Sequence, residues 1–205
     1  MKLVYNKNMN TPYTFIFFGI VGSGKGTQIE LLQKYLVEHN LVEDIVLAYP
    51  GAGYRTLIKE GYYTGKLVKD TLEKGYLQPD FLTNGLVTST LAYEMKEHST
   101  IFADGYPRSV SQSQALEELL SYYGRNEVNI IYIELSNEEA IKRMKLRGRS
   151  DDTDEGIANR FDEYINNVIP AMNYFKDKEG YMIHTINGEQ SVEAVHTDII
   201  NALAL

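Results

Sequence analysis

Phe15-Ile16-Phe17-Phe18-Gly19-Ile20-Val21-Gly22-Ser23-Gly24-Lys25-Gly26-Thr27 is the stretch that decides how the chain is read. Four apolar residues lead into a glycine-rich turn, and the turn leads into Gln28-Ile29-Glu30-Leu31-Leu32, whose spacing is helical. A buried strand, a phosphate-sized loop and a helix start in that order form a P-loop. Three glycines, Gly22, Gly24 and Gly26, let the loop's backbone N–H groups turn inward and cradle phosphate oxygens. The helix start adds free N–H groups and the positive end of its dipole. Lys25 supplies a mobile cation for the outer phosphates, so Gly22, Ser23, Gly24, Lys25, Gly26 and Thr27 form the expected phosphate site. In the general pattern a Ser or Thr directly after the lysine holds Mg²⁺. Here Gly26 fills that place and the hydroxyl comes at Thr27.

The 205 residues suffice for one α/β domain with its own core. A net charge of -8 argues against a general binder of nucleic acid or of anionic membrane. An acidic chain that binds polyanions must concentrate its arginines locally, so their positions carry information. Cysteine is absent, which removes disulfides and cysteine-ligated zinc and fits a reducing compartment. The first residues are polar and the first apolar run is the P-loop strand, so no signal peptide or membrane span is expected. The cytoplasm is the expected location. Residues 1–12 read as a leader ending at Pro12.

Beyond the loop, apolar runs at 45–49, 100–103, 130–135 and 181–186 read as four further strands, separated by stretches with helical spacing. Pro50-Gly51 is read as the stop of the second strand. Residues 54–96 are helical, cut at Gly61, Gly75 and Pro79, with Asp80 as candidate cap of the last piece. Ser111 is the candidate cap of the helix after the third strand, and Pro170 marks a break or bend in a long helix following Asp152-Thr153. Strands alternating with helices give a five-stranded parallel sheet covered on both faces, a three-layer α/β/α arrangement. Ligands bind such sheets beyond the carboxyl ends of the strands, where the P-loop lies. The sixteen tyrosines are read as mostly core-facing, and the four histidines show no metal-binding spacing.

The third strand ends in Asp104-Gly105-Tyr106-Pro107-Arg108. An aspartate at the end of a strand beside the P-loop strand is placed to hold the water shell of Mg²⁺. Gly105 and Pro107 tighten the turn, and Arg108 projects toward an anion above the sheet. Further on, Arg143 and Arg147 share a helix face, Arg149 and Asp151-Asp152 lie in the following turn, and Arg160 lies on the next helix. Arginines carried by a closing segment suit the charge that phosphoryl transfer spreads over equatorial oxygens.

Gly22-Ser23-Gly24-Lys25-Gly26-Thr27, Asp104-Gly105-Tyr106-Pro107-Arg108 with Gln112, and the arginine-flanked Asp-Asp turn stand in one order. Together they make residues 14–203 resemble short-lid adenylate kinases, a branch of the nucleoside monophosphate kinases. The resemblance implies a P-loop NTPase fold with a helical acceptor-binding insertion at about 50–79 and a short lid at about 147–155, all within one domain spanning 1–205. It implies ATP as phosphoryl donor, AMP as acceptor, Mg²⁺ held through water by Asp104, and a monomer acting in nucleotide biosynthesis. By resemblance Arg108 clamps the acceptor phosphate, aided by the Gly105 backbone, and Gln112 reads the acceptor base. Arg143 and Arg147 hold ATP, Arg149 and Arg160 bridge both nucleotides, and Asp151 and Asp152 are lid hinges. Lys25, Arg108, Arg147, Arg149 and Arg160 are then the catalytic set. Arg55 and the stretch Tyr76-Leu77-Gln78 face the acceptor, and Gln190 lies in the loop against the ATP base.

One segment departs from the family's pattern. Where the family carries Ser/Thr-Gly-Asp, two residues and then Arg, this chain has Pro50-Gly51-Ala52-Gly53-Tyr54-Arg55. The arginine is kept, while the hydroxyl that contacts adenine and the aspartate are not. Phosphate capture is left intact and the choice of base open. A kinase for UMP, CMP or another monophosphate is therefore one alternative to AMP phosphorylation. A nucleotide sensor that hydrolyses ATP slowly is another, though a sensor needs no second nucleotide site.

Overall fold

The computed structural model describes residues 12–148 and 153–205. The leader read for residues 1–12 falls almost wholly outside them, as do Arg149, Asp151, Asp152 and thus the middle of the lid.

Five strands, β1 (Thr14–Gly19), β2 (Asp44–Ala48), β3 (Ser99–Asp104), β4 (Val128–Glu134) and β5 (Tyr181–Asn187), form one sheet in the order β2-β3-β1-β4-β5. Every neighbouring pair is parallel. The helices are α1 (Lys25–Glu38), α2 (Pro50–Lys59), α3 (Tyr63–Glu73), α4 (Asp80–Glu94), α5 (Val110–Tyr122), α6 (Asn137–Arg147), α7 (Asp154–Glu163), α8 (Ile169–Asn173) and α9 (Val192–Leu203).

Alternation along β1 builds the layers, because successive strand side chains point to opposite faces. Phe15 and Phe17 enter a core with Ile29, Leu32 and Leu36 of α1 and Val195 and Ile199 of α9. Ile16 and Phe18 enter the opposite core, with Val87 and Leu91 of α4 and Leu116 and Leu120 of α5. The expected three-layer α/β/α arrangement is the observed one. The carboxyl ends of all five strands share one edge; there Asp104, the last residue of β3, pairs with Phe17, and β1 runs on past it to Gly19.

Several boundaries differ from the sequence reading. The second strand stops before Pro50 as expected, but the helix expected from residue 54 already begins at Pro50, the first residue of α2, where its missing N–H is not needed. Ser109, and not Ser111, caps α5, its hydroxyl accepting from the Gln112 amide. Asp80 is the first helical residue of α4, and its carboxylate is engaged elsewhere. The long helix near Pro170 is broken by a π-helical turn at Tyr164–Val168, with Pro170 inside the first turn of α8. The tyrosines are not mostly core-facing. Of the described ones only Tyr54 and Tyr106 are buried, several (Tyr123, Tyr132, Tyr174, Tyr181) pack at the core edge, and Tyr62, Tyr63, Tyr76, Tyr93 and Tyr122 are exposed. An apolar ring with a polar tip suits the rim of a core better than its centre.

No helix among the described residues is long and apolar enough to cross a membrane.

Candidate active site

The loop between β1 and α1 takes its shape from two glycines. Gly22 and Gly24 have φ of 86° and 91°, and Gly24 occupies the cap position of α1 in left-handed conformation. Gly22 also backs onto α6, where a Cβ would lie 3.0 Å from the Ala140 carbonyl oxygen. This contact seats the helix carrying Arg143 and Arg147 against the phosphate loop. The third glycine behaves differently from the reading of the sequence: Gly26 lies within the first turn of α1 and contributes no unusual torsion. Thr27 is exposed on that turn, and Ser23 is buried, its amide donating to the Ile20 carbonyl at 3.1 Å.

Lys25 folds back over the loop. Its ammonium donates to the carbonyls of Gly19 at 2.7 Å and Ile20 at 2.9 Å. Burial, with the Arg108 guanidinium nearby, lowers its pKa from the usual lysine value to about 8; Asp104 opposes the shift and Arg147 adds to it. Lys25, Asp104, Arg108 and Arg147 therefore share one electrostatic neighbourhood above the carboxyl ends of β1 and β3. Among the described residues that act on Lys25, two arginines outnumber one carboxylate, a surrounding that suits a polyphosphate. The sign of the pH dependence follows. In the free protein the ammonium is lost as pH rises through about 8, and an anion that needs it then binds less well. If ATP is the donor that the resemblance implies, its KM is expected to rise above that pH, by at most about tenfold per unit, while kcat at saturation changes less. Initial rates across the alkaline range check this, and a KM that stays level to about pH 10 contradicts it.

Arg108 sits on a braced turn. Its Nε donates to the Gly105 carbonyl at 2.9 Å, and its amide donates to Gln112 Oε1 at 2.8 Å. Gln112 is buried, and its Nε2 donates to Asp80 at 2.8 Å; the same carboxylate oxygen accepts from Ser109 at 2.9 Å. Tyr106 is buried below, its hydroxyl donating to Asn84 at 2.9 Å, and burial with the charge of Asp80 pushes its phenol pKa up. Gln112 was expected to read a base, yet here its carboxamide ties the arginine turn to α4. Asp80 is the member of this network that sequence reasoning missed. Its only signal was an acidic residue in the first turn after Pro79, which also fits a cap.

On α6, Arg143 donates through Nε to Glu139 at 2.9 Å and through its guanidinium to the Gly188 carbonyl at 3.0 Å. Arg143 and Lys142 hold the Glu139 carboxyl below its usual pKa. The structure thus brings Arg143 to the loop containing Gln190. The Gln190 side chain folds back to Asp198 at 2.7 Å and the Asn187 carbonyl at 3.2 Å, which leaves backbone as that loop's outward face. Arg147 is exposed at the end of α6.

The segment expected to bind the acceptor meets α7. Gly75, with φ of 80°, approaches so closely that a Cβ would lie 2.4 Å from the Gly156 carbonyl oxygen and 3.2 Å from Arg160 Cγ. Asn159 donates to the Lys74 carbonyl at 2.8 Å. Arg160 is thereby brought beside the stretch Tyr76-Leu77-Gln78, of which Tyr76 is exposed and Gln78 buried. Arg55 projects from α2 into solvent next to Tyr49.

A family profile described as Adenylate kinase matches residues 17–180. The adenylate kinase of Phocaeicola vulgatus is 33% identical over 193 residues, covering 92% of this chain and 96% of the relative. Adenylate kinase 1 of Nostoc is 34% identical over 181 residues, with 88% and 92% covered. The adenylate kinase of Prochlorococcus marinus is 33% identical over 189 residues, with 92% and 97% covered.

Proposed function

The chain belongs to the adenylate kinase family and is a nucleoside monophosphate kinase that passes the γ-phosphoryl group of ATP to AMP; we propose that Lys25, Arg108, Arg147, Arg149 and Arg160 carry that reaction. The observation that carries the assignment is the glycine loop after β1, with Lys25 folded back over it beside the strand that ends at Asp104.

A phosphate oxygen of AMP attacks the γ-phosphorus, the bond from that phosphorus to the β,γ-bridging oxygen breaks, and two ADP result. The attacking phosphate is already an anion near neutral pH, so no strong general base is required. Catalysis is then alignment plus stabilisation of charge on the transferred group. Loop amides and Lys25 hold the β- and γ-phosphates, Arg143 and the Gln190 loop hold the rest of ATP, and Arg55 and Arg108 hold the AMP phosphate. Arg147, Arg149 and Arg160 approach the transferred group from the lid at 147–155 and from α7. Main-chain atoms of Tyr76 and Gln78 face the base. Closure of the segments at 50–79 and 147–155 keeps water from intercepting the phosphoryl group.

Asp104 fits a Mg²⁺ ion held through water. It is a single half-buried carboxylate at a strand end, and among the described residues no cluster of three acidic or histidine side chains forms a protein cage. Mg²⁺ characteristically keeps several waters and binds one or two carboxylates plus substrate phosphates. Asp104 would hold such an ion through water, and the ion would supply neutralisation of phosphate charge. We place the protein in the cytoplasm, acting as a monomer, on its cysteine-free composition and its resemblance to short-lid enzymes.

The test is ADP formation from Mg²⁺-ATP with AMP, UMP, CMP, GMP and dTMP offered in turn. Turnover is expected to favour AMP strongly. Preference for a pyrimidine nucleotide would move the choice of base to the turn from Pro50 to Arg55. A lack of acceptor-dependent turnover would remove the phosphotransferase assignment.

A further inference from the structure

The guanidinium of Arg55 is held in place before any acceptor arrives. Its Nη1 donates to the Tyr49 hydroxyl at 2.9 Å, and its Cζ lies 5.0 Å from the centroid of the same ring. Among the described residues Tyr49 is its only hydrogen-bond partner. Tyr49 follows the last residue of β2 and immediately precedes α2, so its side chain spans the turn and meets Arg55 on the second turn of the helix. The turn is shaped around that ring. A Cβ on Gly51 would lie 2.6 Å from Tyr49 Cε2 and 2.8 Å from Cζ, so a larger residue there would displace it. The polar side chains that the family's pattern sets in this turn are replaced by Pro50 and Ala52.

We infer that Tyr49 is the positioning residue for acceptor capture in this chain, its hydroxyl and ring face together fixing the Arg55 guanidinium. The inference deepens the phosphotransferase reading and rests on it for the role of Arg55. The physical advantage of a tyrosine is its neutrality. A free arginine side chain carries about 2 kcal/mol of rotamer entropy, part of which is lost when it binds an anion. A carboxylate partner would remove that cost but offset the cation's field. A phenol fixes the guanidinium by one hydrogen bond and a cation–π contact and leaves its charge available to the phosphate.

The test compares the wild type with Tyr49→Phe, Tyr49→Leu, Arg55→Ala and the Tyr49→Phe/Arg55→Ala double variant. AMP affinity is read by calorimetry, and KM for each nucleotide and kcat by ADP formation. Tyr49→Phe is expected to weaken AMP binding about three- to tenfold, as loss of one hydrogen bond to a charged group does at a partly exposed site. Tyr49→Leu, which also removes the ring face, should weaken it further, while KM for ATP stays within about twofold. On the Arg55→Ala background, Tyr49→Phe should add nothing, since the tyrosine acts through the arginine. Unchanged AMP affinity in both Tyr49 variants overturns the inference. So does a Tyr49→Phe effect of the same size with and without Arg55. Because affinity is measured directly, a wild type that binds AMP but forms no ADP would refute the phosphotransferase reading and still score Tyr49.

Discussion

Turnover of ATP and AMP falls about 10³-fold when Lys25 is replaced by Met, and the protein keeps its fold. Both halves of this expectation come from the same contacts. The ammonium is bonded to two loop carbonyls, of Gly19 and Ile20, and among the described residues to no carboxylate. Ile20 keeps a second donor in the Ser23 amide, so truncating the cation does not leave that carbonyl bare. Burial and the two nearby arginines already disfavour the charged form, which means that removing the charge relieves repulsion. The melting temperature is therefore expected to hold or rise. In the reaction the same ammonium must leave the carbonyls and meet oxygens that gain charge as the phosphoryl group moves, and Met supplies nothing there. A coupled ADP assay beside a thermal melt measures both, and turnover within about tenfold of wild type would refute the role given to Lys25.

Arg108→Ala is expected to lower kcat/KM for AMP by about 10²–10³-fold, again without unfolding the turn. The turn is braced from its backbone: the Arg108 amide bonds Gln112, and Gln112 bonds Asp80, neither of which involves the guanidinium. What is lost is a planar fork able to meet two phosphate oxygens at once. Arg108→Lys should recover little, because a single ammonium on a flexible stem does not reproduce that fork. If the lysine variant matched wild type, charge alone would be sufficient and the bidentate role would fall.

The strand, loop and helix around Lys25 were legible because their signals are local: four apolar residues, glycines and a helical period, in sequence order. The same holds for the parallel sheet, since strands separated by helices leave little other choice. Strand order was not legible, because it depends on which crossover passes over which face. Nor was the link from Asp80 through Gln112 to Arg108, because Asp80 stands 32 residues from Gln112 with no shared period. Asp80 read as a cap because an aspartate after proline and before an apolar helix is what a cap looks like. Ser109 was passed over for Ser111 because two serines straddle the helix start and only geometry chooses between them. Tyr49 gave no sign at all: a tyrosine at the end of a strand is ordinary until the chain turns and sets Arg55 above it.

The seam where Gly75 and Lys74 rest on Gly156 and Asn159 joins a piece of the proposed acceptor segment to α7, the helix after the proposed lid. Separating them breaks the Asn159–Lys74 bond and uncovers two glycine backbones together, so the two binding regions share one energetic cost of opening. Occupancy at either site that favours the joined form must favour it for both. By thermodynamic reciprocity, any factor by which ATP tightens AMP is the factor by which AMP tightens ATP. A bulkier residue at 75, which would meet the Gly156 backbone, would weaken that coupling.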